Sequence, residues 1–152
     1  MQHVTEYMHE HLPDVPILIA GNGDRVLTVA AKQADIIGLT GGDRRAGDAG
    51  DPLAERIAFV RNAAPDRFDA LELNVAITAM PIDGSGMPDL KIPRRFLPDL
   101  TDEEPAAPPR RVLSGSTRDM ADRIRGYRRH LRVSYIIVHY LGAAHAEVFA
   151  KV

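Results

Sequence analysis

The sequence predicts an α/β fold built around a parallel sheet of four short strands. One observation is that four short apolar segments alternate along the chain with segments whose apolar residues recur at helical spacing. Another is that Val15–Ala20 is a continuous apolar run, which is typical of a parallel strand covered on both sides. Strands joined by helices in this way form right-handed crossovers, and ligands bind beyond the carboxyl ends of such strands.

Composition limits the class of protein. A chain of 152 residues with 45% apolar and 26% charged residues predicts one globular domain and argues against disorder. Lys and Arg number 19 against 21 acids, and this net charge of −2 provides no positive field for nucleic acid or an anionic membrane. The absence of cysteine excludes disulfides, thiol catalysis and iron–sulfur clusters. No apolar run approaches the roughly 20 residues of a membrane span, and the N-terminus lacks an export pattern, so we expect a cytoplasmic protein.

The first half of the chain predicts one complete strand–helix–strand unit. Residues 1–14 are polar and form either a short helix or a loose arm. The first strand, Val15–Ala20, stops at two glycines, and a second strand is expected over Ala34–Leu39. The helix between them has its apolar positions at Val26, Leu27, Ala30, Ala31 and Ala34.

The second half continues the alternation after a Gly-rich loop over Thr40–Gly50. Asp51 before Pro52 predicts the start of a helix whose buried stripe is Leu53, Ile57, Val60 and Ala64. Leu71–Thr78 is the third predicted strand. The proline-rich segment 80–109 is irregular, and long excursions of this kind are either functional or disordered.

The last predicted helix–strand pair begins at a capping-box pattern, Ser116 with Asp119. The fourth strand is expected over Tyr135–Val138, and a further helix begins at Ala143. The helix after Ser116 has inward positions at Met120, Ile124, Tyr127 and Leu131. Ligand-contacting residues are therefore expected at the strand ends, in Gly21–Asp24, Leu39–Gly42, Thr78–Pro81 and His139–Gly142.

The turn from Gly21 through Asn22, Gly23, Asp24 and Arg25 is the strongest candidate for chemistry. Glycines where a strand turns into a helix let the backbone approach a ligand, and the free N–H groups at the helix start attract phosphate. Arg25 is able to add a charge-assisted contact. The alternative is a tight turn that binds nothing. A dinucleotide fingerprint is disfavoured, because Val26 stands where a third glycine is required and the second strand does not end in an acid.

Other polar groups suggest weaker sites. A metal site is one interpretation of the N-terminal histidines, His3, His9 and His11. Histidines two residues apart do not lie on the same face of a helix, so we expect no metal. His139 and His145 flank the end of the last strand and are candidate ligand contacts or rim histidines. Other weak candidates are the strand residues Glu72 and Asn74, the arginine-rich helix 118–132 as a nucleic-acid surface, and segment 80–109 with Arg94, Arg95 and Phe96 as an active-site lid.

Several segments in a fixed order resemble the luciferase-like monooxygenase family, in particular its branch of deazaflavin (coenzyme F-420)-dependent oxidoreductases. The first is the strand and turn from Pro16 to Leu27, continued by Ala34–Gly38. The others are Asp66–Asn74 (DRFDALELN), Val112–Ser116 (VLSGS), Val133–Val138 (VSYIIV) and Ala146–Val152 (AEVFAKV).

The resemblance implies that residues 15–152 correspond to the C-terminal half, strands five to eight, of a (β/α)₈ barrel. It implies that Gly21, Asn22 and Gly23, with Asp24 and Arg25 beside them, hold the phosphate of coenzyme F-420 or, alternatively, FMN. It also implies an oxidoreductase that transfers hydride or, with FMN, a monooxygenase; the cofactor supplies the chemistry. The catalytic residues and the small-molecule substrate are not identified.

The sequence departs from that family in length and at one turn. A complete barrel takes about 250 residues, so the predicted half needs a second copy of itself or a separate N-terminal half to cover its sheet edges and inner face. Arg132 stands where the family has glycine; if that residue is left-handed, arginine costs about 1 kcal/mol. The alternative hypothesis is a non-catalytic or degenerate α/β module that self-associates.

Overall fold

The computed structural model describes residues 2–40, 51–91, 93–95, 112–139 and 143–152. Helices and strands alternate along the chain as the sequence predicts, with short 3₁₀ turns at Phe68–Ala70 and Pro93–Arg95. The helices are α1 (Gln2–His11), α2 (Asp24–Gln33), α3 (Pro52–Ala63), α4 (Thr117–Leu131) and α5 (Ala143–Phe149). The strands are β1 (Leu18–Gly21), β2 (Ile36–Leu39), β3 (Glu72–Ile77) and β4 (Val133–Val138).

The four strands form one parallel sheet in the order β1-β2-β3-β4, which confirms the predicted α/β class. Ile19 pairs with Ile37, and Ile37 pairs with Leu73, so the first three strands lie in fixed register. The chain divides into two compact units, Met1–Val75 with Val133–Tyr135 and Ala76–Arg132 with Ile136–Val152. Each unit is described by itself below.

Strand β1 is covered on one side. Ile19 is buried and lies beside buried Ile37, whereas Leu18 is 39% exposed and Ala20 is exposed. The expectation that the first strand is covered on both sides is therefore wrong. Helix α2 packs against β1 and covers only the side of Ile19, and β1 lies at the edge of the sheet.

Gly38 allows β1 and β2 to lie close together. A Cβ atom at this position would lie 2.7 Å from the Cβ atom of Ala20, its partner in the register. Such a contact is too short, so any larger residue would push the strands apart. The buried side chains of α2 are Leu27, Ala30 and Ala31, and those of α3 are Leu53, Ile57 and Val60, as their spacing predicts.

Two predicted helix caps are confirmed. The Asp51 side chain accepts hydrogen bonds from the backbone N–H groups of Leu53 (3.1 Å) and Ala54 (3.4 Å), with Pro52 at the first helical position. The N–H of Asp119 donates to the Ser116 hydroxyl (3.3 Å), and the Asp119 carboxylate accepts from the N–H of Ser116 (2.9 Å). Both caps satisfy N–H groups that have no partner within the helix.

Arg132 ends α4 in the left-handed conformation, with φ 58° and ψ 23°. It is the only residue other than glycine with positive φ in the described part of the chain. Its N–H donates to the carbonyl oxygen of Arg128 (3.2 Å), which closes the last turn of the helix. This is the position at which the sequence predicts a cost for arginine.

Helix α1 packs on α2, so residues 2–11 form the helix rather than the loose arm. The Nε2 atom of His9 lies 2.7 Å from the carbonyl oxygen of Gln33, the last residue of α2. The Gln33 amide also donates to the Glu6 carboxylate (3.4 Å), and Thr5 is buried. These contacts fix the N-terminal segment within the first unit.

The second unit holds the segment that follows β3. Ala79 forms a parallel bridge with Val112, and Leu90 joins them in a small apolar cluster. On α4, Met120, Tyr127 and Leu131 are buried and Ile124 is half-buried, as predicted.

Apart from Thr40, the predicted loop Thr40–Gly50 lies outside the described residues, as does most of segment 92–111. No helix in the described ranges combines the length and the apolar character needed to cross a membrane.

Candidate functional site

The turn between β1 and α2 contains all five residues predicted to bind a phosphate. Gly21 is the last residue of β1, Asn22 and Gly23 form the turn, and Asp24 and Arg25 begin α2. Asn22, Gly23, Asp24 and Arg25 are exposed, and Gly21 is half-buried. The turn therefore presents backbone and side chains to solvent at the carboxyl end of an edge strand.

The start of α2 carries no side-chain cap. Gly23 occupies the N-cap position with φ −75° and ψ 146°, and among the described residues no side chain accepts a hydrogen bond from the N–H groups that begin the helix. The first intrahelical bond runs from the N–H of Leu27 to the carbonyl oxygen of Gly23 (3.0 Å). The N–H groups of Asp24, Arg25 and Val26 consequently have no partner within the helix. By contrast, α3 and α4 are capped by Asp51 and Ser116.

Charges of both signs surround this helix start. The Asp24 carboxylate lies 2.6 Å from an Nη1 nitrogen of Arg56, which reaches it from α3. Asp24 is 67% exposed and Arg56 is 29% exposed, and the Arg56 guanidinium also lies over the ring of Phe59. With Arg25 exposed beside them, two cations and one anion stand at the positive end of the helix dipole. The resulting charge favours an anionic ligand.

Arg56 is the residue that sequence reasoning missed. It lies 32 positions from Asp24 in the chain, and nothing in its neighbourhood along α3 distinguishes it from an ordinary surface arginine. Only the packing of α2 against α3 brings it to the turn.

Glycine occupies positions 21 and 23 of the turn for different physical reasons. A Cβ atom on Gly21 would lie 2.6 Å from Cγ1 and 3.2 Å from Cβ of Val26, so glycine is required there because Val26 packs against the backbone. A Cβ atom on Gly23 would meet nothing within 4 Å. The prediction that glycine leaves room for a ligand therefore suits Gly23, whereas Gly21 is explained by packing alone.

The other strand ends contribute less. Thr78 is buried and already has a polar contact within the chain, so it does not present a free hydroxyl. His139 is exposed, and its backbone N–H donates to the carbonyl oxygen of Ile77 (2.8 Å). The remaining candidates at these ends, Gly41, Gly42 and residues 140–142, lie outside the described residues, as does the side chain of His145.

Asn74 has a structural contact within the sheet. It is 4% exposed, and its amide donates to the carbonyl oxygen of Tyr135 (3.0 Å), which ties β3 to β4. Glu72 is exposed at the amino end of β3, whereas the turn lies at the carboxyl end of β1. Neither side chain belongs to the predicted site.

The N-terminal histidines each have a local contact. His3 lies 3.3 Å from the Glu6 carboxylate, His9 bonds to the carbonyl oxygen of Gln33, and His11 stacks on the ring of Tyr7. No group of three potential metal ligands occurs among the residues that the structure describes. On the arginine-rich helix α4, Arg123 donates to the Tyr127 hydroxyl (3.0 Å) and Arg125 to the Asp122 carboxylate (2.9 Å).

An open groove of about 450 Å³ lies at the amino ends of β1, β2 and β3. Its acidic lining residues are Asp14, Asp35 and Glu72, and Asp35 already accepts a hydrogen bond from the N–H of Ile17 (2.8 Å). The groove therefore lies at the opposite ends of the strands from the turn. In parallel sheets ligands bind beyond the carboxyl ends of the strands, so the groove is not part of the candidate site.

Comparison with protein-family models gave no match, and neither did a search of the curated proteins. The resemblance to luciferase-like monooxygenases therefore depends only on the segments and residues quoted for it above.

Proposed function

We propose that this chain is a half-barrel module that binds the phosphate of coenzyme F-420 at the turn from Gly21 to Arg25. In this proposal it acts as part of a luciferase-like oxidoreductase. The observation that carries it is the start of α2, which no side chain of the described residues caps and whose first N–H groups have no partner within the helix, with Arg25 and Arg56 on the same turn. A phosphate at a helix start satisfies such groups and is stabilised by the helix dipole.

The space at the turn supports the same proposal. Nothing lies within 4 Å of the place where a Gly23 Cβ atom would be, so an anionic oxygen is able to approach the backbone there. Arg56 partly neutralises Asp24, which reduces the repulsion between that carboxylate and a phosphate. The donors fit the anionic end of a flavin or deazaflavin cofactor, and the cofactor supplies hydride transfer when bound.

The order of the strands supports a barrel-like assembly. The strands β1, β2 and β3 are sequential in space and are connected by crossovers of one direction, which puts α2 and α3 on the same face. A doubly wound sheet reverses its strand order and covers both faces. The exposed Leu18 and Ala20 agree with an edge strand, β1, that is covered on one side. A homodimer or a separate N-terminal half would supply the missing cover.

The proposal is tested by titrating the purified chain with coenzyme F-420, followed by fluorescence, with FMN as the comparator. We expect saturable binding that is lost in Gly23→Glu, which adds negative charge beside the free N–H groups. Gly23→Gln is the matched control, because it adds the same bulk without the charge. Both substitutions leave the fold intact, since position 23 is open and its backbone conformation is ordinary.

Loss of binding in both variants would make bulk rather than charge the cause. Equal binding by the parent chain and Gly23→Glu would refute the assignment of the turn. The second candidate function is a non-catalytic module that binds phosphorylated ligands without turnover, which the same uncapped helix start also favours. Competition with inorganic phosphate distinguishes the two, because only a cofactor site binds F-420 more tightly than phosphate.

A further inference from the structure

Helix α1 contacts α2 through one of its sides. Thr5 is buried and Met8 is half-buried on that side. The Nε2 atom of His9 lies 2.7 Å from the carbonyl oxygen of Gln33, and the Glu6 carboxylate accepts a hydrogen bond from the Gln33 amide (3.4 Å). These four residues of α1 share one side of the helix, because of their spacing. Helix α1 therefore has a fixed orientation on α2, and its opposite side is turned away from α2.

The opposite side of α1 carries an exposed stripe that consists of Val4, Tyr7 and His11, the outer stripe. Successive members are three and four positions apart, so they are neighbours on the surface of the helix. Val4 is 62% exposed, Tyr7 is 61% exposed and His11 is exposed. Apolar and aromatic residues at this spacing are typical of a helix side that packs against another element. The outer stripe is therefore a surface on which a second helix would bury apolar area.

Two rings of the outer stripe are held in place although they are exposed. The ring centroids of Tyr7 and His11 lie 3.9 Å apart, and the ring planes are inclined by 18°. The Nδ1 atom of His11 also lies 2.9 Å from the carbonyl oxygen of Tyr7. An aromatic side chain that is already ordered loses little conformational entropy on association, and tyrosine is a frequent interface anchor. The stacked pair is therefore suited to anchor a partner.

The residues on either side of Tyr7 match one another when two copies of α1 pair in opposite directions. His3 and Glu10 lie on one margin of the outer stripe, and Val4 and His11 lie on the other. The His3 side chain is 99% exposed, and Glu10 is exposed. If the two helices cross at Tyr7, His3 and His11 lie about 6 Å along the axis from the crossing, and Val4 and Glu10 about 4.5 Å.

A two-fold axis at this crossing brings each margin of one copy to the same margin of the other, with the direction reversed. His3 of one copy then meets Glu10 of the other, and Val4 meets His11, and each contact occurs twice. A partner with a single sign of charge would match only one end of the margin that carries His3 and Glu10. The charge pattern therefore fits a second copy of this chain.

We propose that α1 is a docking helix through which the chain pairs with a second copy of itself, antiparallel, with the two Tyr7 side chains at the two-fold axis. A helix of 10 residues supplies fewer residues than the roughly 20–30 a side of a standard interface, so the dimer is weak, with a dissociation constant on the order of 0.1 mM. The inference goes beyond the proposed phosphate site. Helix α1 contacts the last residue of α2, whereas the turn precedes the first, so the pairing and the cofactor titration succeed or fail separately.

The first experiment is sedimentation equilibrium of the chain without cofactor, at concentrations up to about 1 mM. We expect a species of twice the 16.7 kDa chain mass that dissociates on dilution. Tyr7→Lys should weaken the dimer about thirtyfold or more, because it removes the anchor and places two ammonium groups together at the axis. Lysine is a good helix former and position 7 is exposed, so the fold remains. The matched control is Met87→Lys, because Met87 is likewise exposed (48%) but lies outside α1; it should leave the dimer unchanged.

The second experiment mixes two charge variants and tests the antiparallel arrangement. His3→Glu places a glutamate against Glu10 of the other copy, and Glu10→Lys places a lysine against His3, so each variant alone should dimerise about tenfold more weakly at low salt. In the mixed dimer the new glutamate meets the new lysine, and the native His3 meets the native Glu10. The equimolar mixture should therefore recover the dissociation constant of the parent chain. The control mixture is Arg129→Glu with Asp66→Lys, since both residues are exposed and lie outside α1; it should dimerise as the parent chain does.

Three results would overturn the inference. The first is a chain that remains monomeric at about 1 mM. The second is a dimer that Tyr7→Lys leaves intact, or that Met87→Lys weakens as much, because the contact between copies would then lie outside the outer stripe. The third is a mixture of His3→Glu with Glu10→Lys that dimerises no better than either variant alone, which would contradict the antiparallel pairing.

Discussion

The packing of Val26 against the backbone of Gly21 gives a quantitative prediction about the candidate turn. In Gly21→Ala the new Cβ atom would lie 2.6 Å from Cγ1 of Val26, a distance that real side chains do not adopt. Val26 is β-branched and fixed in χ1 by its helix, so the strain must be relieved by moving the helix or the turn. Overpacking of this kind costs about 1–3 kcal/mol of unfolding free energy.

Removing the methyl groups of Val26 that obstruct the new Cβ atom should restore part of the unfolding free energy lost in Gly21→Ala. Val26→Ala alone costs about 1 kcal/mol, because a half-buried side chain loses two methyl groups. In the double variant Cγ1 is gone, and only the Cβ atom of residue 26, at 3.2 Å, remains tight. The double variant should therefore be more stable than the sum of the single losses predicts, by about 1–2 kcal/mol.

The assay is urea unfolding of the parent, the two single variants and the double variant. A loss of 1 kcal/mol corresponds to about 2–4 °C in Tm for a chain of this size. Gly23→Ser is the control, because serine is at least as good an N-cap as glycine and position 23 is open. The reasoning is refuted if the losses at residues 21 and 26 are additive within about 0.5 kcal/mol.

Four further predictions follow from the backbone and the caps. Arg132→Gly should be about 1 kcal/mol more stable than Arg132→Ala, because both lose the side chain and only glycine tolerates φ 58° without strain; equal Tm values would contradict this. Ser116→Ala should lower the unfolding free energy by about 1 kcal/mol through loss of the N-cap. Hydrogen bonds from the Ser116 side chain and then its backbone lower the pKa of Asp119 from 3.8. The parent chain should therefore be more stable than Asp119→Asn above that pH, and this difference in stability should disappear as the pH falls through the lowered pKa. A difference in urea midpoint between the two chains that does not change with pH would contradict this prediction. Gly38→Ala should be destabilising by about 1–3 kcal/mol because it collides with Ala20, which calorimetry would detect as a lower Tm.

Local features of the fold could be predicted from the sequence because their causes lie within a few residues. The Asp51 cap, the Ser116–Asp119 capping box and the four alternating strands depend on side-chain type and spacing, and all are confirmed. The left-handed backbone at Arg132 agrees with the expectation that the family resemblance gave for that turn, whereas no residue pattern in this sequence predicts it: the C-cap residue of α2, Ala34, is extended.

Features that depend on tertiary packing could not be predicted. Continuous hydrophobicity in Val15–Ala20 indicates burial on both sides, but sequence does not show that β1 lies at a sheet edge with Leu18 exposed. The contact between Asp24 and Arg56 joins two helices, and the periodicity of either helix says nothing about it. At the candidate turn, the sequence locates the glycines but does not distinguish the one that packs against Val26.

The most direct test of cofactor binding at the turn is an amide chemical-shift titration of the isotopically labelled chain with coenzyme F-420. We expect the largest shift changes at the N–H groups of Asp24, Arg25 and Val26, which have no partner within the helix. Gly23→Glu should abolish these changes, whereas Gly23→Gln should retain them. Shift changes confined to the acidic groove at the amino ends of the strands, or no shift changes in a folded chain, would contradict binding at the turn.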